Sequence, residues 1–145
     1  EDDHFFTKHY SWNLLLKQIK EAYGQGAEIL SGGIGGFGQV VPVGNYRYWV
    51  DWFWCTQFIV VYNSFFDKIL SYEFKEDDTA DGVLSKLSCN KMVIYPFISE
   101  QKDFGYSDVT ESNMSNKGRI QEHFNCSNKR FKILHNIFEM YKRER

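Results

Sequence analysis

The stretch Tyr46 to Phe74, YRYWVDWFWCTQFIVVYNSFFDKILSYEF, holds three of the four tryptophans and the densest run of β-forming residues in the chain. The rest of the chain therefore has to pack around it. Side chains along a strand alternate between two faces. In an extended strand Tyr46, Tyr48, Val50, Trp52 and Trp54 share one face, and Arg47, Trp49, Asp51, Phe53 and Cys55 share the other. The first face is wholly apolar or aromatic and reads as core. The second mixes rings with an arginine and a carboxylate. A strand with one solvated face alternates large apolar with small polar residues, so rings on both faces predict that the second is covered too, by a helix, a subunit or a ligand.

That second face carries the candidate binding site, Arg47, Trp49, Asp51 and Phe53. Alternate residues on a strand lie about 6.6 Å apart, which sets Trp49 between Arg47 and Asp51, where a guanidinium can stack on the indole. A carboxylate walled by Trp49 and Phe53 has its charged form disfavoured, which suits it to act as a base or to hold a cationic ligand. The competing reading is an internal Arg47 to Asp51 bridge beneath a covering helix.

Around this stretch the residues Glu1 to Tyr10 read as an irregular arm. Ser11 caps a helix whose Trp12, Leu15, Leu16, Ile19, Ala22 and Tyr23 recur at helical spacing, and Gly24 ends it. Ala27 to Leu30 and Gln39 to Val43 are expected strands on either side of the glycine cluster Ser31 to Gly38, and Pro42 suits an edge strand. Val43 to Asn45 is a turn. Phe58 to Tyr62 and Lys68 to Phe74 are expected to pair as a hairpin about Asn63 to Asp67. Thr79 caps a short helix through Val83, Leu84 and Leu87, and Lys91 to Ile98 is a further strand, a passage long enough for a crossover. The polar stretch 99–116 is expected to be a loop. A short helix over Arg119 to Phe124 precedes a final one capped by Ser127, with a stripe of Phe131, Leu134, Ile137, Phe138 and Tyr141. This order predicts a single α+β domain over 1–145, with a largely antiparallel sheet and an N-terminal helix, a short crossover helix and a C-terminal helix packed on it.

Several motifs fail on context. Gly33-Ile34-Gly35-Gly36-Phe37-Gly38 spells G-x-G-x-x-G, but a dinucleotide site needs a helix N-terminus next, and here Gln39 to Val43 follows with its proline. With Val40 the same residues match a kinase glycine loop, and Asp103-Phe104-Gly105 matches the kinase metal triplet. The strand lysine and the H-R-D-x-x-x-x-N segment that a kinase needs are missing. His4 and His9 beside Asp2 and Asp3, and His123 near Cys126, fall short of the three or four convergent ligands of a zinc site, so no metal and no cofactor are expected. His123 and Cys126 as base and nucleophile are three residues apart, a spacing that does not aim them at each other. His135, beside the last apolar stripe, reads as a partly solvated surface residue. Asn113-Met114-Ser115 and Asn125-Cys126-Ser127 are glycosylation sequons that matter only in a secreted chain.

Composition bounds what is left. With 145 residues, 43% hydrophobic and 18% aromatic, the chain has ample material for one core. A net charge of -2 gives no basic field, which counts against nucleic acid or anionic membrane as the partner. The longest apolar run, Trp52 to Tyr62, is well short of the roughly 20 residues a spanning helix needs. Cys55, Cys89 and Cys126 are too few and too scattered for a disulfide framework and read as reduced thiols, which points to the cytoplasm, although a removed signal peptide is compatible with the opening EDDHFF.

Two functional expectations follow. The first is a non-catalytic accessory protein that engages another protein, or itself, through the aromatic sheet face or the 99–116 loop. The second is an α+β pocket protein for a small apolar or cationic molecule, with Asp51 as a general base if it is an enzyme. They differ in where Arg47, Trp49 and Asp51 lie, on a flat surface or around a cavity.

Overall fold

The computed structural model describes residues 3–102 and 118–144. In chain order the elements are β1 (His4–Phe6), α1 (Trp12–Gly24), β2 (Ile29–Ser31), β3 (Val40–Pro42), β4 (Arg47–Val50), β5 (Ile59–Val61), a 3-10 turn (Asn63–Phe65) running into α2 (Phe66–Leu70), α3 (Ala80–Leu87), β6 (Lys91–Ile94), β7 (Ser99–Gln101) and α4 (Arg119–Arg143). The fold is α+β and its strand pairs are mostly antiparallel. A five-stranded sheet has the order β3-β4-β6-β2-β5, and β1 pairs with β7 in a separate two-stranded ribbon. The exception is β2 with β6, which run parallel with Leu30 opposite Met92.

Strand parity explains the two cores. In β2 and β6, Ile29 and Val93 face one side and Leu30, Met92 and Ile94 the other. One side is filled by α1 through Leu15 and Ala22, the other by α4 through Phe124 and Phe131, with α3 contributing Leu84 and Leu87 at its margin. Both faces of the sheet are thus covered by helices, as the rings on both faces of β4 required. Caps at the helix starts are local: Ser11 Oγ accepts from the Leu14 amide and Thr79 Oγ1 from the Gly82 amide. Pro42 sits on the edge strand β3, where its missing N–H costs no ladder bond.

The structure departs from the sequence reading in several places, one being that His4–Phe6, within the expected irregular arm, forms β1 against β7. The hairpin expected at Phe58 to Phe74 does not form: β5 pairs antiparallel with β2, and the residues after it turn into the 3-10 turn and α2. Phe65, fully buried, and Ile69, packed against the same core, are four apart, a helical spacing that outweighs the β-forming composition. With that strand gone, the parallel partner of β6 is β2. The two C-terminal helices are one, because no Gly or Pro interrupts the chain between Arg119 and Arg143 and Ser127 lies buried inside the helix. The residues expected to open a loop at 99 instead form β7, whereas the remainder of that expected loop, from 103 on, lies outside the described residues.

The glycine cluster is packed, and every residue from Ser31 to Phe37 is buried. A Cβ on Gly33 would lie 2.1 Å from the Ser99 carbonyl oxygen, and one on Gly36 would lie 2.7 Å from the Trp54 ring. Close backbone approach is what these glycines permit. The Gly35 amide donates to the Trp54 carbonyl and the Trp54 amide to the Gly36 carbonyl, which draws the chain beyond β4 over the cluster.

Candidate functional site

The regular strand β4 ends at Val50, and the chain after it bends. Asp51 makes the bend by accepting at Oδ1 from the amides of Gly38 (3.1 Å), Gln39 (2.8 Å) and Trp52 (2.9 Å). Only the Trp52 bond is local; the other two tie the bend to the chain just before β3. Five residues on from Val50, Cys55 adopts a positive φ of 75°. Between these two points parity no longer assigns faces.

As a result the four sequence-derived site residues separate. Arg47 is only 2% exposed and turns toward α1, where Nη1 donates to Gln18 Oε1 (2.6 Å) and Glu21 Oε2 (2.9 Å) and Nη2 to Gln25 Oε1 (2.8 Å). Its ion pair is therefore with Glu21, not Asp51. Trp49, Asp51 and Phe53 remain together and line an open, mainly apolar cleft of about 630 Å³. The other walls come from Trp52 and Trp54, from Ser85 and Lys86 of α3, and from Ser88, Cys89 and Lys91 leading into β6.

Tertiary hydrogen bonds hold this lining. The Trp49 indole N–H donates to the Cys89 carbonyl (3.1 Å), and the Phe53 amide donates to Ser85 Oγ (3.0 Å). Trp52 and Trp54 lie with ring centroids 5.0 Å apart, and His123 of α4 sets its ring edge-on to Trp54 at 5.6 Å. Phe53 is a core residue, 1% exposed, that shows the cleft only its margin. Beneath the rim, the nearly buried Glu28 carboxylate accepts from Ser88 Oγ and the Cys89 amide, both at 2.9 Å, and pairs with Lys68. Burial alone would push its pKa up, but those hydrogen bonds outweigh it and hold Glu28 below the usual carboxylate value.

Residues the sequence reading did not assign to the site include Trp52, Trp54, Ser85, Lys86 and Lys91. Trp52 and Trp54 were expected in the core with Tyr48 and Val50, which are fully buried; Trp52 is half-buried and Trp54 is 47% exposed. The signal that could have moved them is Asp51 itself, a turn-forming residue inside an aromatic run. Lys91 opens the apolar strand KMVI and looks like a solvated strand end, yet it is 4% exposed, opposite Val50 in the register. Burial pushes its pKa down, with Cys89, Asp51 and Glu28 pulling the other way.

The remaining motif residues take no part in a common site. The glycine cluster is buried and joins β2 to β3 with no helix after it, so no helix N-terminus is available there to face a phosphate. Arg130 of α4 closes it from outside, donating to the Phe37 and Gly38 carbonyls. His135 is half-buried, in keeping with a partly solvated position, and meets the Tyr48 hydroxyl at 2.7 Å. Among the described residues no three His, Cys, Asp or Glu side chains converge as a metal site would require, and no helix is long and apolar enough to cross a membrane.

Comparison of the chain with models of known families, with curated proteins and with solved structures finds no match. The fold and the cleft therefore stand on their own geometry.

Proposed function

We propose that the chain is a non-catalytic binding protein whose aromatic cleft receives a small molecule. The observation that carries this reading is that Trp49, Asp51 and Phe53 border one open recess of about 630 Å³ together with Trp52 and Trp54. Recesses of roughly 300 to 1,000 Å³ with apolar walls and a few fixed polar groups are the usual form of small-ligand sites. Asp51, the base that the sequence offered, spends Oδ1 on three backbone amides, which supports a binding role over a catalytic one. The test is a titration of the ¹⁵N-labelled protein with a set of small aromatic compounds. Shifts confined to the amides of Trp49 to Trp54, Ser85 and Lys91 support the reading, and their absence at millimolar ligand overturns it.

Engagement of another protein is kept as the second reading because of α4. Ile133, Ile137, Met140 and Tyr141, spaced to share one helix face, are 61%, 45%, 64% and 66% exposed. The occupant this reading commits to is a second copy of the chain. Sedimentation should then show a concentration-dependent dimer that Ile137→Lys abolishes; a monomer at all concentrations excludes it.

A further inference from the structure

The charged side chains of the cleft are Asp51, Lys86 and Lys91, an excess of one positive charge. They are not equivalent. Lys86 is exposed and adds a field more than a contact. Asp51 spends Oδ1 on three amides, which spreads its charge into the backbone. Lys91 is 4% exposed, and among the described residues its ammonium makes one hydrogen bond, to the Ser88 carbonyl, and no ion pair within 4.0 Å. An ammonium has three N–H donors. Asp51 and Glu28 attract the Lys91 ammonium only from beyond ion-pair distance, and Glu28 is committed to Lys68, Ser88 and the Cys89 amide. A cation so far withdrawn from water with so little compensation is costly, and an anion delivered to the cleft would offset that cost.

We infer that the cleft selects flat aromatic monoanions, with Lys91 as the counter-ion and the indoles of Trp49, Trp52 and Trp54 as the walls that hold the ring. This rests on the reading of the cleft as a small-molecule site and names the chemistry of its ligand. It departs from the ligand expected from the sequence, a small apolar or cationic molecule, in which Asp51 would have held the cation. A single negative charge fits better than two, because Asp51 on the same wall repels the second. The flat shape follows from the rings: aromatic faces meet a planar ligand by offset or edge contacts, and Trp49 is already fixed by its bond to the Cys89 carbonyl, so little order is lost on binding. The lowered Lys91 pKa agrees, since a charged form short of partners in the free protein is the one a bound anion favours.

The experiment is calorimetric titration of the folded chain with three probes of one shape: 2-naphthoate, 2-naphthylmethanol and 2-naphthylmethylammonium. The acid should bind about tenfold more tightly than the alcohol, the scale of one charge-assisted hydrogen bond, and the ammonium should bind most weakly. Lys91→Met should bring the acid down to the alcohol while leaving the alcohol unchanged, and Lys91→Arg should keep the preference. Equal binding of acid and alcohol, or a preference for the ammonium, would overturn the anion inference and leave the small-molecule reading intact. Failure of all three probes to bind sinks both. Should Lys91→Met not fold, the wild-type order of affinities still decides the charge. Lys86→Met then decides the residue: it is expected to change the preference by less than about threefold, and abolition of the preference would overturn the assignment to Lys91.

Discussion

At the scale of single residues, Asp51 and Arg47, expected together in one site, are each tied into the framework in a different place. Asp51 closes a turn, so Asp51→Ala should cost about 2 kcal/mol in urea denaturation, within the range for hydrogen bonds to a charged acceptor, whereas Asp51→Asn keeps an acceptor oxygen and should cost less. Arg47 is locked into the α1 face, and Arg47→Ala should cost about 3 kcal/mol or more, because it removes a buried side chain and strands the buried Gln18 without its donor. What was legible here was legible through parity. The alternation correctly divides Arg47 and Trp49 from Tyr48 and Val50, which are the four residues of β4, and it fails from Asp51 onward because the chain there is no longer extended. Arg47 and Trp49 share a side of the sheet and still part company, since α1 reaches over the first of them while the second lies against Cys89.

At the scale of elements, the glycine cluster and α4 carry the clearest tests. Gly33→Ala places a methyl group 2.1 Å from a backbone oxygen that no rotamer change can move, so the loss should reach about 3 kcal/mol or prevent folding, read by the yield and denaturation midpoint of the variant. In α4, Phe131 stacks on Tyr95 within the core and is fully buried, while Phe138 is half-buried and meets Tyr48 edge-on. Phe131→Ala should therefore cost about 3 to 5 kcal/mol and Phe138→Ala clearly less, a ranking checked by the same melts. The turn between β2 and β3 could be read from glycine content and a following proline, and the caps Ser11 and Thr79 from their spacing. The tightness of the turn could not, because it depends on Ser99 and Trp54, which are remote in the chain. Ser127 shows the same limit: a serine before an amphipathic stripe suits a cap and a helix interior alike, and only packing chooses.

At the scale of the whole molecule, Glu28 ties three parts together, linking β2 to Lys68 of α2 and to the Ser88 to Asn90 segment before β6. Its pKa is lower folded than unfolded, so the stabilisation is fully present above the ordinary carboxylate value of 4.5 and is lost as the pH falls through the folded value. Denaturation midpoints measured from neutral pH into acid should fall more steeply for the wild type than for Glu28→Gln, which has nothing to titrate there; parallel curves would remove Glu28 from this role. The α+β class and the covered sheet were readable from the order of elements and the two-sided rings of β4. The cleft was not, since its walls come from two stretches remote in the chain, 49–54 and 82–91, and its buried lysine looks ordinary in sequence. The distribution of indoles has an optical consequence. Trp49, Trp52 and Trp54 border one recess, while Trp12 stands apart on α1, 61% exposed. Replacing Trp12 with phenylalanine would leave a chain whose entire tryptophan emission originates at the cleft, so that its colour and its quenching report on that one place in the molecule without any attached dye.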